Sequence, residues 1–258
     1  MKNDIPMKIC VLNLSGNVGK TTLTAHLLGA FRPKAKIISV ESINNTDSTD
    51  IDSLDVEEFD AKRFRDIYRE IMIADDLIVD VGASNVAVFM EELIKYRSAV
   101  GEFDLIVVPT VPADKQQKDT IATIEWLNKL GIDGKKIRVV FNQFQGAESI
   151  DRVYAHVMGY SLEDGKSKAL WMPAPVVGAN DVYELIKSTR LTMGELATDT
   201  TDWRASRNAA KAAGDADALE TAMDGQIAHD LGRTAYANLQ QAYADLFAPY
   251  KPRAAVQK

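Results

Sequence analysis

The stretch "NLSGNVGKTT", residues 13–22, decides how the rest of the chain is read. It ends a short apolar run, "KICVLNL" (8–14), and leads into "TTLTAHLLGAF", where Leu23, Leu27, Leu28 and Phe31 recur at helical spacing. A buried strand, a turn with glycines and an amphipathic helix are the setting that a phosphate-binding loop requires. Main-chain N–H groups must converge there on anionic oxygens, and Gly16 and Gly19 let the backbone come close, with Ser15, Asn17 and Val18 completing the turn. The N-terminus of the following helix adds partial positive charge. Lys20 is placed to reach the terminal phosphates, Thr21 to offer its hydroxyl to Mg2+, and Thr22 to bond the α-phosphate. One position departs from the usual loop: six residues before the lysine, where glycine is normal, stands Leu14.

Working outward, apolar runs alternate with segments of helical period. "AKIISV" (35–40), "DLIVDVG" (76–82), "FDLIVVPTV" (103–111), "KIRVVFNQF" (136–144) and a short "ALWMP" (169–173) read as further strands. Between them lie helices. One carries Phe64, Ile67, Ile71 and Met72 inward, and another carries Phe89, Met90, Leu93 and Ile94 inward. A third runs over about 115–130 to Gly131, and a fourth covers "SIDRVYAHVM". Continuous apolar strands alternating with helices predict an α/β fold with a doubly wound, mainly parallel sheet, of P-loop NTPase type. Residues 1–195 are expected to form this domain. Residues 196–258 are expected to form a helical extension, with Leu219, Met223, Ile227, Leu231, Leu239, Tyr243 and Leu246 as a stripe facing the domain or a partner.

A phosphate loop of this kind needs an acidic residue near the metal. "LIVDVGAS" supplies Asp80 at the end of an apolar strand, where open α/β sheets place ligands. The loop, "LIVDVG", "VVPTVP" (107–112), "VVFNQF" and "WMPAP" follow one another in an order that resembles the ParA/MinD-type deviant Walker A ATPases, over roughly residues 7–190. Within that group, "VLNLSGNVGKTT" and "SVESIN" look most like the plasmid stabilisation proteins of the StbB type. The resemblance implies an ATP- and Mg2+-binding switch in plasmid stability, partition or positioning. It implies a nucleotide-dependent homodimer and a plasmid-encoded DNA-binding adaptor as partners. It places Walker B chemistry on Asp80, adenine recognition on Asn142, and the far side of the base against the segment at Pro173.

Two features depart from the family. Its loops carry a second lysine that reaches across a dimer, and Ser15 holds that place here; a short neutral side chain delivers no cation. Where the family has two aspartates after the second strand, this chain has Glu41 and Ile43. Glu41 is either a substitute water-orienting group or an ordinary strand-end carboxylate. These losses bear on turnover more than on binding, so slow or partner-stimulated hydrolysis is expected. Two rivals stay open: a P-loop small-molecule ligase or kinase, and a nucleotide-bound scaffold without turnover. The three histidines, His26, His156 and His229, are scattered, and no acceptor-binding constellation is evident.

Composition bounds the rest. The chain has 258 residues and a net charge of −7. Residues 41–80 hold thirteen Asp and Glu against four Lys and Arg, a local −9, so the remainder is +2. Overall acidity argues against a dedicated nucleic-acid binder. Direct nonspecific DNA contact would need a shared face among Lys115 and Lys118, Lys135 to Arg138, Lys166 and Lys168, and Lys251 and Arg253. The acidic stretch Asp47 to Asp60 suits either a basic partner or solvent. Cys10 is the single cysteine, read as core, and with no apolar leader or spanning run a cytoplasmic, membrane-free protein is expected.

Overall fold

Seven strands form one parallel sheet in the order β3-β2-β4-β1-β5-β6-β7. They are β1 (Lys8–Val11), β2 (Lys36–Val40), β3 (Val56–Phe59), β4 (Leu77–Val81), β5 (Leu105–Thr110), β6 (Ile137–Phe144) and β7 (Val176–Gly178). The computed structural model describes residues 5–41, 56–162, 169, 172–188 and 191–250. Both faces of the sheet are covered, which is why the strands read as unbroken apolar runs. On β1, Ile9 and Val11 enter one core while Cys10, and Leu12 just after the strand, enter the other. Cys10 is a free, fully buried thiol, and burial pushes its pKa well up.

One face carries α2 (Phe64–Ile73), α3 (Val86–Lys95), α4 (Arg97–Glu102), α5 (Asp114–Lys129) and α7 (Ala155–Leu162), which follows the single turn α6 (Ile150–Val153). The other carries α1 (Lys20–Leu23), α8 (Val182–Leu185), α9 (Met193–Thr198) and α11 (Ala216–Phe247). α1 does not stop at Leu23: it runs on through a π turn, Thr24–Leu28, and a 3-10 turn, Gly29–Phe31. Two expected inward residues face out. Met72 is 49% and Ile94 48% exposed, each at the end of its helix where the stripe has turned off the sheet.

β3 lies in the acidic stretch and carries no apolar run. Its sequence is Val-Glu-Glu-Phe; Glu57 and Glu58 are exposed and only Phe59 is buried. The edge of a sheet tolerates this, since charge there blunts pairing with another chain. Lys36 on β2 bridges Glu57 to Glu70, at 2.7 Å from the latter. The remaining acidic stretch, including Asp47 and Ile43, lies outside the described residues.

The final strand falls later than "ALWMP". Met172 and Pro173 form a bend joined by a cis peptide, and pairing with β6 begins at Val176. Pro173 has no N–H for the ladder, whereas the carbonyl of Pro175 accepts from Phe141 at 2.9 Å.

The C-terminal region is helical as expected, and α9 and α11 pack on the sheet domain. The expected boundary at 195/196 cuts α9. α10 (Trp203–Ala213) and α11 make a helical hairpin, capped by Asp202 and Asp215, whose side chains accept from Ala205 and Ala218. Gly214 turns the chain at φ 69°, a left-handed conformation that glycine adopts without strain. The second half of α11 buries Leu239, Tyr243 and Leu246 as expected. The first half does not follow the apolar stripe: Met223 is 42% and Ile227 50% exposed, while Ala222, Ala228, Gly232 and Ala235 are buried. Small side chains let α9 and α10 approach the α11 backbone, so packing selects them over the larger residues.

Arg138 locks this layer down. It is fully buried on β6 and meets four carbonyls: Leu246 (3.1 Å), Asp245 (2.6 Å), Met172 (3.2 Å) and Pro173 (2.7 Å). Two of these are open carbonyls at the C-terminal end of α11, where a cation also meets the negative end of the helix dipole. Burial pulls its pKa down to about 10. Replacing Arg138 with Ala leaves those carbonyls unpaired and is expected to cost about 3 kcal/mol in urea unfolding. An unchanged midpoint would show that α11 docks without this staple.

Candidate functional site

Three parallel strands end at one level. Val11 on β1 pairs with Asp80 on β4, and Asp80 pairs with Ser39 on β2, so the ends of β1, β2 and β4 meet at one edge. This is also where the strand order reverses, since β1 lies between β4 and β5. Crevices at such switch points are the ligand sites of open α/β sheets.

The turn after β1 folds as a cradle. Asn17 (φ 57°) and Gly19 (φ 80°) take left-handed conformations, the alternation that aims successive N–H groups into one concavity. Gly19 is required twice over, because a Cβ there would also strike the Asn142 amide. Asn142, at the end of β6, is 5% exposed and donates its side-chain N–H to the Val18 carbonyl at 3.0 Å. Its own carbonyl accepts from the Tyr154 hydroxyl at 2.6 Å. Asn142 therefore braces the loop, a role its sequence context does not reveal.

The loop entrance is tied to α5 by residues that sequence reading missed. Asn13 is fully buried and donates to the Pro109 carbonyl (2.7 Å) and the Thr120 hydroxyl (2.8 Å), while its side-chain oxygen accepts from the Ser15 N–H (2.8 Å). The Leu14 N–H donates to the Thr123 hydroxyl at 3.1 Å. These bonds hold the entrance although Leu14 replaces the usual glycine. A signal was present: Gln117, Thr120 and Thr123 interrupt the buried stripe of α5 at helical spacing, and all three are buried.

Lys20 opens α1. It is 7% exposed, and its ammonium donates to the Ser15 carbonyl at 2.9 Å. Burial lowers its pKa, while Asp80 and Glu41 pull it back up. Asp80 is 1% exposed, and neither of its oxygens has a hydrogen-bond partner. The Thr21 hydroxyl lies close enough to draw the Asp80 pKa down. Burial raises the Asp80 pKa from 3.8 to about 7; Thr21 and Lys20 draw it down and Glu41 pushes it up. The Glu41 carboxylate lies over Gly82, so closely that any Cβ at that position would overlap it. Lys20, Thr21, Asp80 and Glu41 are thus brought together from three turns.

An orphaned buried carboxylate beside a hydroxyl is a donor set that suits a small hard cation such as Mg2+. A concavity of amides with one ammonium suits a polyphosphate. The residues present therefore fit both groups.

Pro173 does not reach this site. Its carbonyl is held by Arg138 at the start of β6, four residues before Asn142, so it lies at the opposite edge of the sheet. The segment that emerges beside Asn142 is Ala179–Asp181, after β7: the Ala179 N–H donates to the Phe144 carbonyl at 2.9 Å. Parallel pairing causes this, because a residue preceding β7 cannot share the edge at which β6 ends. Ser15 is 2% exposed, so its side chain presents nothing to a partner surface. His26 is buried against Tyr183. Among the described residues the basic candidates do not share a face. Lys115 and Lys118 begin α5 at the site edge, Lys135 and Lys136 precede β6 at the other edge, and Arg138 is internal. Lys166, Lys168, Lys251 and Arg253 lie outside the described residues. Among the described residues no helix is long and apolar enough to cross a membrane.

The sheet order and the cradle define a MinD/ParA-type P-loop NTPase fold. Apo McdA from Cyanothece is similar with a TM-score of 0.50 at 14% identity, over 89% of this chain and 98% of that one. The cell division ATPase MinD of Pyrococcus furiosus is similar with a TM-score of 0.50 at 13% identity, over 91% and 97%. At this identity the likeness is one of fold. No family model and no curated protein matches the sequence.

The raised pKa of Asp80 sets a pH dependence. Between about pH 4 and pH 7 the folded chain keeps a proton that the unfolded chain has released, so stability falls as pH rises through that window. In metal-free buffer, Asp80→Asn is expected to remove this fall and to be the more stable protein above pH 7, by up to about 4 kcal/mol. Urea midpoints across pH check it; a wild type with no fall where Asp80→Asn has none would refute the buried-carboxylate account.

Proposed function

We propose that this chain is an ATP-binding switch of the ParA/MinD type, with slow or partner-stimulated hydrolysis, acting in plasmid stability, partition or positioning as StbB-type proteins are named to do. One observation carries the reading: the buried, unpartnered carboxylate of Asp80 stands beside Lys20 and Thr21 at the mouth of a loop whose amides converge. The structural neighbour from Pyrococcus furiosus is itself named an ATPase.

Each residue then has a task. The amides of Gly16 to Thr22 and the Lys20 ammonium, released from the Ser15 carbonyl, bind the phosphates. Thr22 serves the α-phosphate. Thr21 and Asp80 hold Mg2+, which when bound neutralises charge on the terminal phosphates. Glu41, above Gly82, is the carboxylate available to orient water. Asn142 keeps Gly19 and Val18 in place beside the base. Ser15 supplies no second cation, which limits unaided turnover. Glu41 and the turn after Asp80 change partners when the site fills, and that change is what a DNA-bound adaptor or a second copy of the chain would read.

The second reading is a nucleotide-bound scaffold without turnover, favoured by the buried, neutral Ser15. Phosphate release separates the two. The switch is expected to release phosphate slowly alone and at least tenfold faster with its adaptor and DNA. Lys20→Ala is expected to lose ATP affinity by about 100-fold, measured by calorimetry with Mg-ATP. Normal ATP binding by that variant would end the loop assignment.

A further inference from the structure

The charges around the cradle are unbalanced for the ligand proposed. One buried ammonium, Lys20, faces two carboxylates, Asp80 and Glu41, before any phosphate arrives. A triphosphate adds more negative charge than Mg2+ alone removes, so a further cation near the terminal phosphate is worth several-fold in affinity and more in rate.

The first turns of α5 offer one. Thr123 bonds the Leu14 N–H and Thr120 bonds Asn13, so this helix is registered against the loop entrance residue by residue. One turn toward its N-terminus from Thr123 comes Asp119, and another turn brings Lys115. A helix advances about 1.5 Å per residue, so Lys115 lies roughly 6 Å beyond Asp119, toward the edge where the cradle opens. The Lys115 ammonium rests on the Asp119 carboxylate at 2.9 Å. Lys115 lowers the Asp119 pKa most, and the Ser15 hydroxyl lowers it further, though that hydroxyl makes no hydrogen bond; the bonds from Thr120 and Thr123 are what set this part of α5 against the loop. The Lys115 side chain is 77% exposed. An exposed ion pair of this kind contributes little, so leaving it for a phosphate oxygen costs little.

We infer that Lys115 is the second phosphate-directed cation of this site: parked on Asp119 beside Ser15, it swings from α5 to the γ-phosphate of a nucleotide held in its own chain's loop. It supplies from a neighbouring helix the charge that Ser15 lacks. The inference rests on the nucleotide-binding reading above.

The test is calorimetry with Mg-ADP and with the non-hydrolysable Mg-AMP-PNP, on wild type, Lys115→Ala and Lys115→Arg, with phosphate release measured in parallel. A residue that meets only the γ-phosphate changes the ratio of the two affinities. Lys115→Ala is expected to lower the AMP-PNP to ADP affinity ratio about tenfold and to slow phosphate release, with Lys115→Arg recovering most of both. An unchanged ratio in Lys115→Ala, or no recovery in Lys115→Arg, would overturn the inference and leave nucleotide binding standing. A wild type that binds neither nucleotide would overturn the nucleotide reading and this inference together.

Discussion

Parallel register is the constraint on which the site depends. Because Val11 pairs with Asp80 and Asp80 with Ser39, three strands from distant parts of the chain stop at the same height. The described residues that follow them are then forced into one volume. Lys20, Asp80 and Glu41 meet there though they lie 21 to 60 residues apart in sequence. The energetic cost of that meeting is visible in Asp80, whose ionised form is disfavoured by burial. Such a group persists because the apolar strands on both sides over-determine the backbone that carries it. A cation arriving beside it would relieve the cost, and this is how packing energy becomes binding energy.

The loop is held from both ends by polar groups in apolar surroundings. At its entrance, Asn13 and Leu14 reach Thr120, Thr123 and the Pro109 carbonyl. At its turn, Asn142 reaches the Val18 carbonyl. Fully paired buried networks of this kind select one backbone arrangement, because each unpaired member would cost more than it returns. The loop is thus shaped before any ligand binds, and less ordering entropy remains to be lost on binding. The same bonds tie α5 to the loop entrance.

The C-terminal half is fixed by different physics. Small residues on α11 admit α9 and α10 closely, and a single buried guanidinium ties its last carbonyls to the bend before β7. α11 therefore shares the core that also holds α1 and β1.

Much of this was legible in the residues. Apolar strands of four to eight residues, helical spacing between them and the glycine–lysine–threonine turn follow from local periodicity and backbone freedom, which a sequence carries openly. Asp80 was readable because it ends an apolar run. Other features were settled only in three dimensions. β3 is a strand because β2 offers it an edge, though its own residues are acidic. Pro173 lies far from the loop because parallel pairing assigns it to the other edge. The buried side of α11 is chosen by how near its neighbours come, not by which residues are most apolar. Asn13 and Asn142 acquire their roles from partners about a hundred residues away. Sequence alone determines what each segment can bury; which polar groups end up sharing that burial depends on register and packing between segments, and only the folded chain decides those.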